Sequence, residues 1–172
     1  MLIMSMGISG CGKTTYGEKL KDKIPNLKII CPDDVRKMFG DISDQSRNAD
    51  VFKIINEQLH ASLSRGDNVY YSATNLGKKD WNRMASLCKE HNTDLIIVVF
   101  LTSFRADICM ARVRGDLDCG IERSNTLVRN EGKTIIEYQA ERFRSAMRNI
   151  DSYKEVLEGL NYRIKFLECE AR

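Results

Sequence analysis

GISGCGKTTY, residues 7–16, is the stretch on which the fold of this chain turns. Gly7 to Thr14 satisfies G-x-x-x-x-G-K-[ST] in full, a pattern whose mechanism is a loop that cradles phosphate. Glycines let the backbone wrap closely, so that consecutive amide N–H groups point inward, and the following helix adds the partial positive charge of its N-terminus. Gly10, Cys11, Gly12, Lys13, Thr14 and Thr15 are therefore the expected nucleotide-binding set. Lys13 would reach the β- and γ-phosphates, and the Thr14 hydroxyl would ligate Mg²⁺.

The flanks supply the context that the motif requires. Leu2 to Met6 is short and apolar, as suits a strand buried on both faces of a parallel sheet. After the loop, Tyr16, Gly17, Leu20 and Ile24 recur at helical spacing until Pro25-Asn26. Further strands are read at 27–31, 68–72, 94–101 and 162–167. Between them lie a short helix at 35–39, started by Pro32-Asp33-Asp34 and ended by Gly40, and a helix at 51–63 whose apolar face is Val51, Ile55, Leu59 and Leu63. Helices follow at 78–91 and 134–147, and Thr102 and Ser103 are N-cap candidates for another. Strands alternating with helices imply an α/β fold of the P-loop NTPase type, with a five-stranded parallel sheet and helices on both faces. No repeat or linker divides residues 1–172, so one domain is expected.

Composition narrows the class. Charged residues at 30% and hydrophobic residues at 42% suit a folded chain, and a net charge of +3 neither demands nor excludes a polyanionic partner. Six cysteines stand without a CxxC pair, and His60 and His91 are not spaced with them as zinc ligands would be, so reduced intracellular thiols are expected. The apolar start MLIMSMGI has no basic lead-in and runs into the glycine loop, which reads as neither signal peptide nor membrane span. A soluble, cytoplasmic protein is the expectation. The chain has neither Asn-Lys-x-Asp nor Asp-x-x-Gly, which disfavours a guanine-nucleotide switch, and 172 residues leave little room for a motor ATPase. A phosphotransferase needs an acceptor site, a base and a lid, and fits the length.

Phosphoryl transfer to a hydroxyl calls for a carboxylate near the γ-phosphate. Asp33 and Asp34 follow the second strand and so lie at the carboxyl edge of the sheet, where ligands of open α/β folds bind. An aspartate there also serves as a helix cap. In order, spacing and strand-end placement, GISGCGKTT, CPDDVRK (31–37) and SATNLGKKDW (72–81) resemble the kinase domain of bacteriophage and bacterial 5'-hydroxyl polynucleotide kinases, within the small P-loop kinases. The likeness is good over the first 80 or so residues and loose beyond.

The resemblance implies roles for particular residues. Asp33 would be the general base, Lys13 and Thr14 the phosphate and Mg²⁺ residues, and Arg36 a contact to the acceptor's phosphate backbone, or else an ion-pair partner of Asp33 or Asp34. Thr74 and Asn75 would line the acceptor or phosphate side. It implies an arginine-bearing lid as well, and residues 112–133, RVRGDLDCGIERSNTLVRNEGK, are the candidate. Arg129 is the closest positional match and is the expected catalytic arginine, with Arg112, as a nucleotide contact, and Arg114 next; Arg123 lies in the same segment. A solvated loop whose arginines pair with Asp116, Asp118, Glu122 and Glu131 is the other reading. Family members usually carry an aspartate just before Thr-Asn, where this chain has Ser72 and Ala73, and many carry an attached phosphatase or ligase that 172 residues do not encode.

ATP and Mg²⁺ are thus the expected cofactors, and the expected acceptor is the 5'-hydroxyl end of DNA or RNA. A hydroxymethyl group on a modified pyrimidine of phage DNA is a near variant, and a small-molecule hydroxyl of a nucleoside, sugar or antibiotic is the alternative. Residues 105–148 hold nine Lys and Arg against seven Asp and Glu, which is no basic stripe. No membrane partner is expected, and the oligomeric state stays open.

Overall fold

A computed structural model of the chain describes residues 1–42, 44–123, 127–130 and 132–169, the side chains of 129 and 130 excepted. In chain order the elements are β1 (Leu2–Met6), α1 (Lys13–Lys21), β2 (Leu27–Ile30), α2 (Pro32–Lys37), α3 (Asn48–Ser64), β3 (Asn68–Tyr71), α4 (Lys78–Glu90) and β4 (Leu95–Phe100). They continue with α5 (Ala106–Asp118), β5 (Arg129–Asn130), β6 (Lys133–Thr134), α6 (Ile135–Arg148), α7 (Ile150–Lys154) and β7 (Tyr162–Leu167).

Five strands form one parallel sheet in the order β2-β3-β1-β4-β7. All five residues of β1 are buried, because this strand is central, with Leu2 paired to Val69 on one side and to Leu95 on the other. The parallel register places every strand's carboxyl end on one edge, so the loops after β1, β2 and β3 open together there. β7, at the rim, leaves Phe166 half exposed, as an edge strand with one covered face should.

The helices carry their apolar stripes inward. Val51, Ile55, Leu59 and Leu63 of α3 are buried as their spacing predicts, and α4 buries Trp81, Met84, Ala85, Leu87 and Cys88. Trp81 meets Tyr153 edge to face at 5.3 Å between ring centroids, and the Tyr153 hydroxyl donates to Leu76 O at 3.0 Å. Among the described residues no helix is long and apolar enough to cross a membrane.

Two local expectations are corrected. Thr102 and Ser103 cap no helix: they lie in a 3₁₀ turn, Leu101–Phe104, and α5 starts at Ala106. Their hydroxyls are committed elsewhere, Ser103 Oγ accepting from Ile8 N at 3.1 Å and Thr102 Oγ1 from Cys169 N at 3.0 Å. The proposed lid segment does not begin as a loop either. Arg112 and Arg114 stand on α5, which buries Cys109 and Val113 one turn apart, and β5 pairs antiparallel with β6, Arg129 facing Thr134 and Asn130 facing Lys133.

Candidate active site

The glycine loop leaves β1 and runs into α1 at the carboxyl edge of the sheet. Gly10 and Gly12 adopt φ +79° and +104°, which side chains other than glycine rarely tolerate. A Cβ at Gly10 would stand 2.4 Å from the Cys109 carbonyl oxygen, so the α5 backbone is pressed against the loop. Hydrogen bonds to three other parts of the chain fix the loop in place. Gly7 N donates to Thr74 O at 3.0 Å, Ile8 N to Ser103 Oγ, and Ser9 N to Gln139 Oε1 of α6 at 2.9 Å.

Lys13 Nζ donates to Ile8 O at 2.7 Å and lies 3.8 Å from Cys11 Sγ, so its ammonium spans the mouth of the loop. At the first turn of α1 the amides have no acceptor within the helix. The Tyr70 hydroxyl donates to Lys13 O at 2.9 Å and ties this turn to β3. These residues fit a nucleotide's phosphates: two positive-φ glycines, Gly10 among them pressed by the α5 backbone, a lysine at the mouth, a helix N-terminus and the Thr14 hydroxyl one residue on. Thr14 is the residue present for Mg²⁺.

Arg112 comes to the same loop from α5. Its Nη1 donates to Gly10 O at 3.4 Å and its Nη2 to Cys169 O at 3.2 Å, which joins the loop to the segment after β7. Arg123 is ion-paired with Asp116 and Arg114 is exposed on α5, so the reading of charge-paired lid arginines describes Arg123. Arg129 lies on β5, and its side chain is outside the described residues, as is Glu131.

Pro32 in the first turn of α2 starts the helix so early that Asp33 and Asp34 fall within that turn. Asp33 Oδ1 accepts from Arg36 Nη1 at 2.8 Å, and the side chains are 40% and 11% exposed respectively. Arg36 Nη2 donates to Asn48 Oδ1 at 2.9 Å, so α3 fixes the guanidinium from the far side. Its Nε is buried with no hydrogen-bond partner among the described residues. Asp34 is 68% exposed and 3.9 Å from Lys37; the cap position of α2 is Cys31, so Asp34 acts as a negative charge in the first turn, where the helix dipole favours one. Beside the pair, burial first and the Asp33 charge second push the Cys31 thiol up, which keeps it neutral.

Of the strand-end pair, Thr74 is part-exposed and accepts from Gly7 N, while Asn75 turns inward to β1. Asn75, at φ +47° and buried, donates from Nδ2 to Ser5 O at 2.7 Å. Ser5, which has no motif around it, accepts from Ala73 N at 3.1 Å and so welds the 72–75 turn to the strand that feeds the loop. Four further residues at this edge escaped the sequence reading: Ser5, Asn48, Gln139 and Arg83. Arg83 donates to the Tyr71 hydroxyl at 2.9 Å and to Asn56 Oδ1 at 3.1 Å. No local pattern marks any of them, because each acts through a partner at least 12 residues away.

The family model described as "AAA domain", AAA_33, matches residues 2–115, which covers β1 through most of α5. Among solved structures, a chain of the Pnkp1/Rnl/Hen1 RNA repair complex superposes with TM-score 0.71 at 19% identity, over 86% of this chain and 45% of that one. A chain of the PezAT chromosomal toxin-antitoxin system of Streptococcus pneumoniae superposes with TM-score 0.69 at 17% identity, over 100% and 69%. A protein of Chloroflexus aurantiacus gives 0.64 at 16%, over 97% and 86%. This chain therefore spans less than half the length of the first of these. No curated protein sequence matches it. With a family model that matches about two thirds of its residues, a five-stranded parallel sheet and the glycine loop at its carboxyl edge, the chain belongs to the AAA_33 AAA-domain family and has a P-loop kinase-like fold.

Proposed function

We propose that the protein is an ATP-dependent phosphotransferase that moves the γ-phosphoryl group to the 5'-hydroxyl end of a DNA or RNA strand, with Asp33 as general base. The observation that carries the reading is the Asp33–Arg36 pair at the edge that also holds the glycine loop. β2 lies two strands from β1, about 10 Å across the sheet, a separation that an acceptor and a triphosphate together fill. Asp33 is exposed enough for a hydroxyl to reach it, while Arg36, locked by Asn48, holds its orientation.

In this mechanism the loop amides and Lys13 bind the phosphates, and the Thr14 hydroxyl would hold Mg²⁺, which would supply positive charge toward the transferring group. Asp33 takes the acceptor's proton as its oxygen bonds to the γ-phosphorus and ADP leaves. Arg36 orients that carboxylate, and its guanidinium charge lies beside the acceptor. Arg112, already on Gly10 O, supplies positive charge beside the loop. Arg129, on β5, is the proposed lid arginine that closes over the transferring group.

The fold shared with a component of an RNA repair complex supports a nucleic-acid acceptor. Ser72 and Ala73, standing where the resembling kinases usually carry a carboxylate, favour a second reading in which the acceptor is a hydroxymethylated pyrimidine or a small-molecule hydroxyl. Transfer from γ-labelled ATP separates these. The panel is a 5'-OH oligonucleotide, the same strand with a blocked 5' end, a hydroxymethylated duplex, and a set of nucleosides and sugars. Label on the 5'-OH strand alone is expected. Label on the blocked or hydroxymethylated strand, or only on small molecules, moves the assignment to the second reading, and no label on any oligonucleotide ends the polynucleotide reading.

A further inference from the structure

At the opposite edge of the sheet the fold brings together three side chains that the sequence keeps apart. α3 ends just before β3 and α4 just before β4, so His60, late in α3, and Glu90 with His91, at the end of α4, all lie at the amino edge. The length of a strand, about 15 Å, separates that edge from the phosphate loop. His60 Nδ1 is 3.0 Å from His91 Nε2 and 3.4 Å from Glu90 Oε1, and the three ligand atoms all lie within 4.8 Å of one another.

We propose that His60, Glu90 and His91 form a binding site for a divalent transition metal of the Zn²⁺ class, which clips α3 to α4. The distances match the chemistry. Two ligands at about 2.0–2.1 Å from a tetrahedral ion stand roughly 3.3 Å apart, and both measured separations lie within about 0.3 Å of that value. Two imidazoles with one carboxylate are a borderline donor set that favours zinc, cobalt or nickel over Mg²⁺ or Ca²⁺. His60 and Glu90 are 44% and 60% exposed, so the ion enters freely and keeps water in its remaining positions. The site is independent of the nucleotide, since no residue of the glycine loop or of α2 takes part.

The competing account is a plain His60–His91 hydrogen bond with Glu90 alongside. Chelator-treated, fully reduced protein, free of nucleotide and Mg²⁺, would be titrated with ZnCl₂ by calorimetry and, in parallel, with CoCl₂ followed by its visible spectrum. One equivalent of zinc is expected, with a cobalt spectrum lacking thiolate charge-transfer bands. A rise in Tm of about 5–10 °C is expected with metal a hundredfold above Kd. His60→Gln and His91→Gln should each weaken zinc binding by at least about tenfold. ATP affinity should be unchanged in both, which certifies their fold. Absence of stoichiometric binding overturns the proposal in favour of the hydrogen bond. Equal affinity in the glutamine variants, or thiolate bands with cobalt, overturns it by placing the metal on the cysteines.

Discussion

Single residues at the loop differ in how much their surroundings can yield. At Gly10 an added methyl meets a backbone carbonyl at 2.4 Å, whereas at Gly12 it meets the Cys169 thiol at 3.1 Å, the tip of a side chain that can turn away. Gly10→Ala is therefore expected to cost roughly 1–3 kcal/mol of stability and to abolish ATP binding. Gly12→Ala, strained in φ but not blocked by backbone, should cost less, and paired denaturant titrations with nucleotide affinities measure the contrast. Lys13→Ala should remove nucleotide binding without unfolding the chain, because the ammonium's partner, Ile8 O, still accepts from Cys11 N. Arg36→Met leaves Asp33 and Asn48 without their shared donor, so transfer should fall more than ATP affinity does, as a KM-against-kcat analysis for both substrates would read.

At the scale of elements, α6 supports the loop through Gln139 and is itself held by a capping box. Glu137 N donates to Thr134 Oγ1 at 3.1 Å, and Thr134 N to Glu137 Oε2 at 2.7 Å. Thr134→Ala should cost about 1 kcal/mol, or a Tm lower by about 2–4 °C, visible in a thermal melt. What the sequence reading recovers at this scale follows from the range of the cause. The glycine loop, β7 at Tyr162–Leu167 and the α3 stripe from Val51 to Leu63 are set by local pattern, and they stand as read. Thr102 and Ser103 mislead because cap residues look alike whether they serve a helix or a partner elsewhere in the chain. Their partners, Cys169 N and Ile8 N, lie 67 and 95 residues away. Arg112 was legible as a charged residue near the nucleotide, but the glycines around it suggested a loop; the buried anchors Cys109 and Val113 carry the helix through Gly115 instead. Contacts between histidines 31 residues apart leave no periodic trace in a sequence at all.

For the molecule as a whole, the thiols set an alkaline limit. Burial pushes Cys88 and Cys109 up to about 12 from the ordinary 9.0. The folded state thus keeps these thiols neutral where the unfolded chain ionises them. The stability they contribute is complete below about pH 9 and is lost progressively as pH rises towards about 12. Tm should fall steadily from pH 9 upward, and Cys88→Ala with Cys109→Ala should flatten that slope. Cys119, exposed, should react with an alkylating reagent far faster than either.

The central claim is that the carboxyl edge of the sheet joins a phosphate donor site to an acceptor site governed by Asp33. Single-turnover transfer from γ-labelled ATP to a 5'-OH oligonucleotide, by wild-type and Asp33→Asn protein with ATP affinity measured alongside, tests it most directly. The account predicts that the variant loses about 10²–10⁴-fold in transfer and binds ATP as before. Undiminished turnover of ATP by the variant, with no phosphate on any acceptor, would contradict it and make the protein a nucleotide-hydrolysing module instead.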